Sequence, residues 1–191
     1  MKLYIKYMVS QRCKLAVQSE LRRLRIRHTN IQLGEIEISD NISPKQRESL
    51  RIALCNCGLE LMNDKRTILI EKVKNLITEM IHYNDELPRI NYSDFISEQT
   101  KHDYTYLSNI FSQVKGITIQ QFIINHKVER IKELISYGEL NMTEIAWKMN
   151  YSSVAHLSNQ FKKITGFSPS HFKQSQDKQR SPIEEIGSYS F

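Results

Sequence analysis

Two stretches of the chain repeat one spacing of apolar residues and glycine. Leu107-x-x-x-Phe111 is followed by Gly116, and Leu157-x-x-x-Phe161 by Gly166, at identical internal distances. The i,i+4 pair puts leucine and phenylalanine on one helix face, and a glycine just beyond ends a helix. In the first stretch, residues 92–116, the pattern predicts a short helix over 92–99, a polar turn at 101–103 and a helix over 104–114. In the second, residues 141–166, Asn141-Met142-Thr143-Glu144 has the character of a capping box. A helix follows through Ile145, Ala146 and Met149. Asn150 then makes a turn, since asparagine tolerates left-handed backbone, and a helix over 153–165 buries Leu157 and Phe161. Tandem helix-turn-helix units are the natural reading. Spacing alone leaves open an all-α interaction domain built of repeated helical hairpins.

Residues 118–137 lie between the two units. Thr118 and Gln121 form a second capping box, and Phe122, Val128, Ile131, Leu134 and Ile135 supply a buried stripe. A helix of about 18 residues is roughly 27 Å long, and successive major-groove faces of a duplex lie about 34 Å apart. A rigid connector of this size suits two groove-entering helices in one chain.

The run from Lys127 to Phe172 resembles the signature of AraC-type regulators. It contains Lys127-Val128-Glu129-Arg130-Ile131 and Met142-Thr143-Glu144-Ile145-Ala146, then Asn150-Tyr151-Ser152-Ser153. His156-Leu157-Ser158-Asn159-Gln160-Phe161-Lys162-Lys163 and Gly166-Phe167-Ser168-Pro169-Ser170-His171-Phe172 complete it. The resemblance implies a sequence-specific transcription regulator that places two reading helices in the major groove of double-stranded DNA, with a sensing or dimerising domain elsewhere. It also implies the reading faces: Thr105, Tyr106, Ser108 and Asn109 in the first unit, and Val154, Ala155, His156, Ser158 and Asn159 in the second. Asn109 and Asn159 can pair with an adenine edge, Ser108 and Ser158 are short donors, and Val154 or Ala155 can touch a thymine methyl. Lys162 and Lys163 suit phosphates better than bases. With no arginine at these positions, A·T-rich targets are expected. Leu107, Phe111, Ile145, Ala146, Leu157, Phe161 and Phe172 are expected in the core, and Trp147 with them.

Residues 1–63 read differently. Leu3, Ile5 and Tyr7 alternate with Lys2, Tyr4 and Lys6 over 2–9, the period of a strand. Residues 11–25 take helical spacing, with Leu15, Leu21 and Leu24 on one side. Residues 28–39 predict a hairpin turning at Gly34. Ser43-Pro44-Lys45-Gln46 starts a helix that stops at Gly58, and residues 59–62 make a last strand. The order βαββαβ defines an α+β, ferredoxin-like domain, followed by an all-α domain over 64–175 and a flexible tail over 176–191. An amphipathic helix over 65–83, with Leu69, Val73, Leu76, Ile77 and Met80 on one face and closed by Pro88, opens the second domain.

The N-terminal order and Met8-Val9-Ser10-Gln11-Arg12-Cys13 resemble heavy-metal-associated domains, whose metal loop pairs a core methionine with Cys-x-x-Cys. Gly58-Leu59-Glu60 resembles the step into their last strand. Ser10 stands at the first cysteine position here, and one thiolate does not make a Cu(I) or Zn(II) site. Cys57 is placed at the same sheet edge as Cys13, which leaves two readings open: a two-thiolate site or redox disulfide formed by that pair, and the commoner case of lone buried cysteines acting as small hydrophobes, Cys55 above all. Otherwise no cofactor is expected, and the sheet edge is free to pair with a second copy in a homodimer.

The remaining features exclude classes. No paired carboxylates, HExxH, GxSxG or glycine-rich phosphate loop is present, so no enzyme activity is expected. The six histidines (His28, His82, His102, His126, His156, His171) show no ligand spacing. Three cysteines make a poor disulfide framework. No stretch approaches the roughly 18 apolar residues of a membrane span, so a soluble, cytoplasmic chain is expected. The net charge of +6 suits a polyanion but specifies no sequence. The competing reading is a metal-handling or thiol redox protein with a helical interaction module. It predicts tight metal binding, whereas a regulator predicts DNA affinity that falls steeply with salt.

Overall fold

Leu3 and Ile5, alternating with charged neighbours, build the first strand, β1 (Lys2–Lys6). It stops short of Val9 because Tyr7 takes a left-handed backbone, φ 67°, which a strand cannot accommodate. In this computed structural model, which describes residues 1–84, 91–175 and 180–187, α1 (Gln11–Arg23), β2 (His28–Gln32), β3 (Glu35–Ile38), α2 (Pro44–Asn56) and β4 (Glu60–Met62) follow. This is the β-α-β-β-α-β order read from the sequence. The four strands are all antiparallel and ordered β2-β3-β1-β4. Pairing Leu3 with Ile36 and Ile5 with Leu61 puts one apolar face of the sheet against Val17 and Leu21 of α1 and Leu50 and Leu54 of α2. Met8 is fully buried in the same core.

Local chemistry fixes the ends of these elements. Ser43 and Gln46 complete the capping box of α2, with Pro44 in its first turn. Ser10 caps α1, accepting from the Cys13 N–H. Leu15, expected on the buried side of α1, is 56% exposed. The buried row is Val17 and Leu21, with Cys13 and Leu24 packed against the core, and Leu15 lies two residues, about 200°, from Val17. Gly34 turns the hairpin at φ +76°, where a Cβ would meet the Asn75 side-chain nitrogen at 2.0 Å. Glycine is needed there for both backbone and space.

The helix opening the second region is α3 (Lys65–Thr78), and it widens into a π-helical turn, Glu79–Tyr83. Ile70, Val73, Ile77, Met80 and Ile81 are its buried apolar residues, while Leu69 and Leu76 are half-buried. Pro88, expected to close it, lies outside the described residues. The chain divides into two compact units within α3, at Met1–Leu76 and Ile77–Phe191, whereas the sequence placed the boundary at 63/64. Asn75 against Gly34 and the Lys74 ammonium 6.0 Å from the Tyr7 ring tie the third turn of α3 to the sheet.

In the second unit come α4 (Tyr92–Thr100), α5 (Tyr104–Lys115), α6 (Ile119–Tyr137), α7 (Met142–Lys148), α8 (Val154–Thr165) and α9 (Pro169–Gln174). α6 buries Phe122, Val128, Ile131, Leu134 and Ile135 as its spacing predicts, and Ile119, Ile123 and His126 besides. Phe111 of α5 meets Phe122 of α6 edge-on at 5.4 Å, and Phe161 of α8 meets Phe172 of α9 at 5.7 Å. α9 was not read from the sequence as a helix, although Ser168 caps it and Pro169 suits its first position. Residues 180–187, expected within a loose tail, pack along α6. Arg180 pairs with Glu133 at 3.1 Å, the Ser181 N–H donates to Glu129, Ile186 is buried, and Gly187 lies against Phe122.

Candidate nucleic-acid interface

The two repeated stretches fold into matching helix-turn-helix pairs, α4–α5 and α7–α8. Each second helix starts on a side-chain cap: Asp103 accepts from the N–H groups of Thr105 and Tyr106 at 2.8 and 3.2 Å, and Ser153 from that of His156 at 3.1 Å. Each ends on a left-handed glycine, Gly116 at φ 71° and Gly166 at φ 81°. The turns themselves use a left-handed non-glycine residue, Asn150 as expected and Lys101 in the first unit.

Burial along α5 and α8 runs in step. Leu107 and Phe111, and fifty residues on Leu157 and Phe161, are all fully buried. Ile145, Ala146 and Phe172 are buried as expected. Of the candidate reading residues, Thr105, Tyr106 and Asn109 on α5 are exposed and Ser108 is half-buried. On α8, Ala155, His156 and Asn159 are exposed and Val154 and Ser158 are half-buried. The two faces therefore present corresponding positions in the same order. Lys162 and Lys163 are exposed in the last turn of α8, and Lys163 also borders a cleft of about 640 Å³ with Glu129, Lys132 and Ser181.

Contacts not anticipated from the sequence orient these faces. His102 stacks on Tyr106 at 5.9 Å in the first unit. In the second, Ser152 bonds His156 Nδ1 at 3.1 Å, and the Tyr151 ring stands edge-on to the same imidazole at 5.2 Å. His102/Tyr106 and Ser152/His156 share i,i+4 spacing, a signal the sequence carried but that needs the turn geometry to be read. Trp147, expected in the core, is 59% exposed on α7. The inward face of that short helix is filled by Ile145 and Ala146, with Met149 at its cap.

Lys127 of α6 lies at the junction between the two pairs. Its buried ammonium donates to the Met149 carbonyl, at the end of α7, at 3.0 Å, and sits 5.4 Å from the Tyr92 ring and 5.2 Å from the Tyr151 ring. Burial pushes its pKa down to about 8. A helix C-terminus and two aromatic faces are environments that suit a desolvated cation. Burial likewise raises the Tyr92 phenol to about 12 and the Tyr151 phenol upward.

In the N-terminal unit, the Cys13 thiol lies 3.2 Å from the Ser10 hydroxyl. One thiol beside one hydroxyl does not fit a soft-metal site. Cys57 caps the end of α2 and is exposed. Pairing of Lys6 with Glu60 brings the segment that follows β1 and the segment that precedes β4 to the same end of the sheet. Among the described residues, no group of three or more His, Cys, Asp or Glu side chains is placed to hold a metal ion, and no helix is long and apolar enough to cross a membrane.

Residues 96–175 match the model of a family described as a helix-turn-helix domain. The chain is 24% identical over 123 residues to YtdP of Bacillus subtilis, described as an uncharacterized HTH-type transcriptional regulator, a match covering 63% of this chain and 16% of that protein. It is 26% identical over 96 residues to the HTH-type transcriptional activator RhaS of Escherichia coli, covering 50% of this chain and 33% of that protein. The chain thus spans well under half the length of these relatives. A solved structure, the C-terminal domain of the response regulator AraT from Geobacillus stearothermophilus, aligns with 60% of this chain and 93% of its own, at 22% identity and a TM-score of 0.49. Residues 96–175 are thus similar to a family described as a helix-turn-helix domain and, in sequence, to proteins described as HTH-type transcriptional regulators.

Proposed function

We propose that this chain is a sequence-specific DNA-binding transcription regulator that inserts α5 and α8 into successive major grooves of one duplex. The observation that carries the reading is the matched exposure of the two helices, with Asn109 and Asn159 at corresponding exposed positions above fully buried Leu107/Phe111 and Leu157/Phe161. Asparagine can bond bidentately to adenine, short side chains at Ser108, Ala155 and Ser158 allow close approach, and α6 is about 28 Å long. Lys162 and Lys163 supply phosphate contacts.

The N-terminal unit is read as ferredoxin-like on its element and strand order, and as a sensing or dimerising module, with β2 as the open sheet edge for a second copy. The register at Lys6 and Glu60 favours one secondary reading, a thiol pair of Cys13 and Cys57. Thiol titration with and without Cu(I) or Zn(II), repeated on Cys13→Ser, tests it, and thiol reactivity that the metal leaves unchanged, with no metal bound, ends it.

Selection of bound fragments from random duplex DNA tests the main reading. The wild-type chain is expected to enrich a bipartite motif, and Asn109→Ala and Asn159→Ala each to relax a different half, costing about 1–3 kcal/mol of discrimination. If both variants enrich the wild-type motif unchanged, the reading faces are misassigned.

A further inference from the structure

The net positive charge of this chain lies in the unit that does not carry the candidate reading helices. Of 27 Lys and Arg and 21 Asp and Glu, residues 1–76 hold 15 and 8, and residues 77–191 hold 12 and 13. The N-terminal unit is thus +7 and the helix-turn-helix unit −1. Arginine is more uneven still: eight of eleven lie in residues 1–76. Of the other three, Arg130 and Arg180 both pair with Glu133.

Four of those eight arginines fall within six residues at the end of α1. Arg22 and Arg23 close the helix, Arg25 sits in the turn at φ 55°, and Arg27 leads into β2. All four are exposed. Among the described residues only Arg23 of the four is in an ion pair, to Glu20 at 2.5 Å. The left-handed Arg25 is held by its N–H to the Arg22 carbonyl at 3.0 Å, and the Arg27 carbonyl accepts from the Ser39 N–H, also at 3.0 Å. The guanidiniums are therefore mounted on a fixed turn. Cations at a helix end offset the helix dipole by a few tenths of a kcal/mol each, which accounts for Arg22 and Arg23 but not for Arg25 and Arg27.

We infer that the Arg22–Arg27 turn is a docking surface for the phosphate backbone of double-stranded DNA, and that the N-terminal unit supplies much of the chain's sequence-independent affinity. The inference rests on the DNA-binding reading above. A duplex attracts a protein mainly through phosphate neutralisation, and a unit of charge −1 offers little of that. Arginine forks match phosphate oxygens bidentately. The partner follows from charge complementarity: a dense polyanion for a turn in which Arg22, Arg25 and Arg27 have no ion pair among the described residues.

The test measures duplex affinity of the full chain across a potassium chloride series, on the selected duplex and on a scrambled duplex of equal length. The variant is Arg22→Gln/Arg25→Gln/Arg27→Gln. The charge-matched control is Lys45→Gln/Arg66→Gln/Lys72→Gln, all exposed positions of the same unit. The inference predicts that the variant lowers the salt slope by about 2 to 3, weakens both duplexes alike by on the order of 100-fold at 0.1 M salt, and leaves the preference between them unchanged. The control is expected to move the slope by less than about 1. Equal slopes in wild type and variant, or an equal drop in the control, overturn the inference while leaving the reading helices untouched. Loss of binding only to phosphatidylserine vesicles, with duplex affinity intact, also overturns it and assigns the surface to a membrane. If the wild-type chain binds no duplex in a salt-dependent way, the regulator reading falls first and this one with it.

Discussion

His82 and His126 face each other through Nε2 and Nδ1 at 3.1 Å, so one nitrogen donates and the other accepts, and both rings cannot be cationic. Burial, with Arg130 and Arg180 nearby and only Glu133 opposing them, lowers the His82 pKa from 6.5 to about 4. The unfolded chain therefore binds this proton at higher pH than the folded one. The stability contributed by the neutral ring is complete above pH 6.5 and is lost as pH falls towards 4, up to about 3 kcal/mol. The urea midpoint should fall between pH 7 and pH 5, and His82→Gln should flatten that dependence. Equal pH slopes in the two proteins would show that His82 is not the group responsible. Lys127 titrates in the opposite range, and at neutral pH its cation links α6 to the turn of the second helix pair.

Each second helix is delimited by a side-chain cap at its start and a glycine at its end. Asp103→Ala and Ser153→Ala should each cost about 1 kcal/mol through orphaned N–H groups. Gly166→Ala should cost about 1–2 kcal/mol from the left-handed backbone alone, since no atom lies within 4 Å of the added methyl. Thermal unfolding checks all three, and unchanged midpoints would contradict the cap assignments. These elements were legible because their signals are local: the i,i+4 apolar pairs and the terminal glycines fall within one helix, whereas the caps Asp103 and Ser153 were read only as part of a turn and as a helix start. The β-α-β-β-α-β order was legible for the same reason. What escaped depends on tertiary partners. Leu15 looked buried by type, yet Val17 and Leu21 own the inward face of α1, and Trp147 is displaced outward by Ile145 and Ala146. The packing of 180–187 needs Phe122 and Glu129 as partners from distant sequence. The partners of Lys127 come from three separate elements, so no window of sequence displays them together.

On the proposed reading, specificity and net charge lie in different places, with candidate reading positions that lack arginine in one unit and a turn of exposed arginines in the other. Such a division predicts sequence discrimination carried by Asn109 and Asn159, and salt sensitivity carried largely by residues 22–27. In the proposed complex α5 and α8 occupy successive major grooves on one face of the duplex. Hydroxyl-radical footprinting of the full chain on its selected duplex tests it most directly. Two protected windows about 10 base pairs apart are expected, one weakened by Asn109→Ala and the other by Asn159→Ala. A single window, or two variants that weaken the same window, would contradict it.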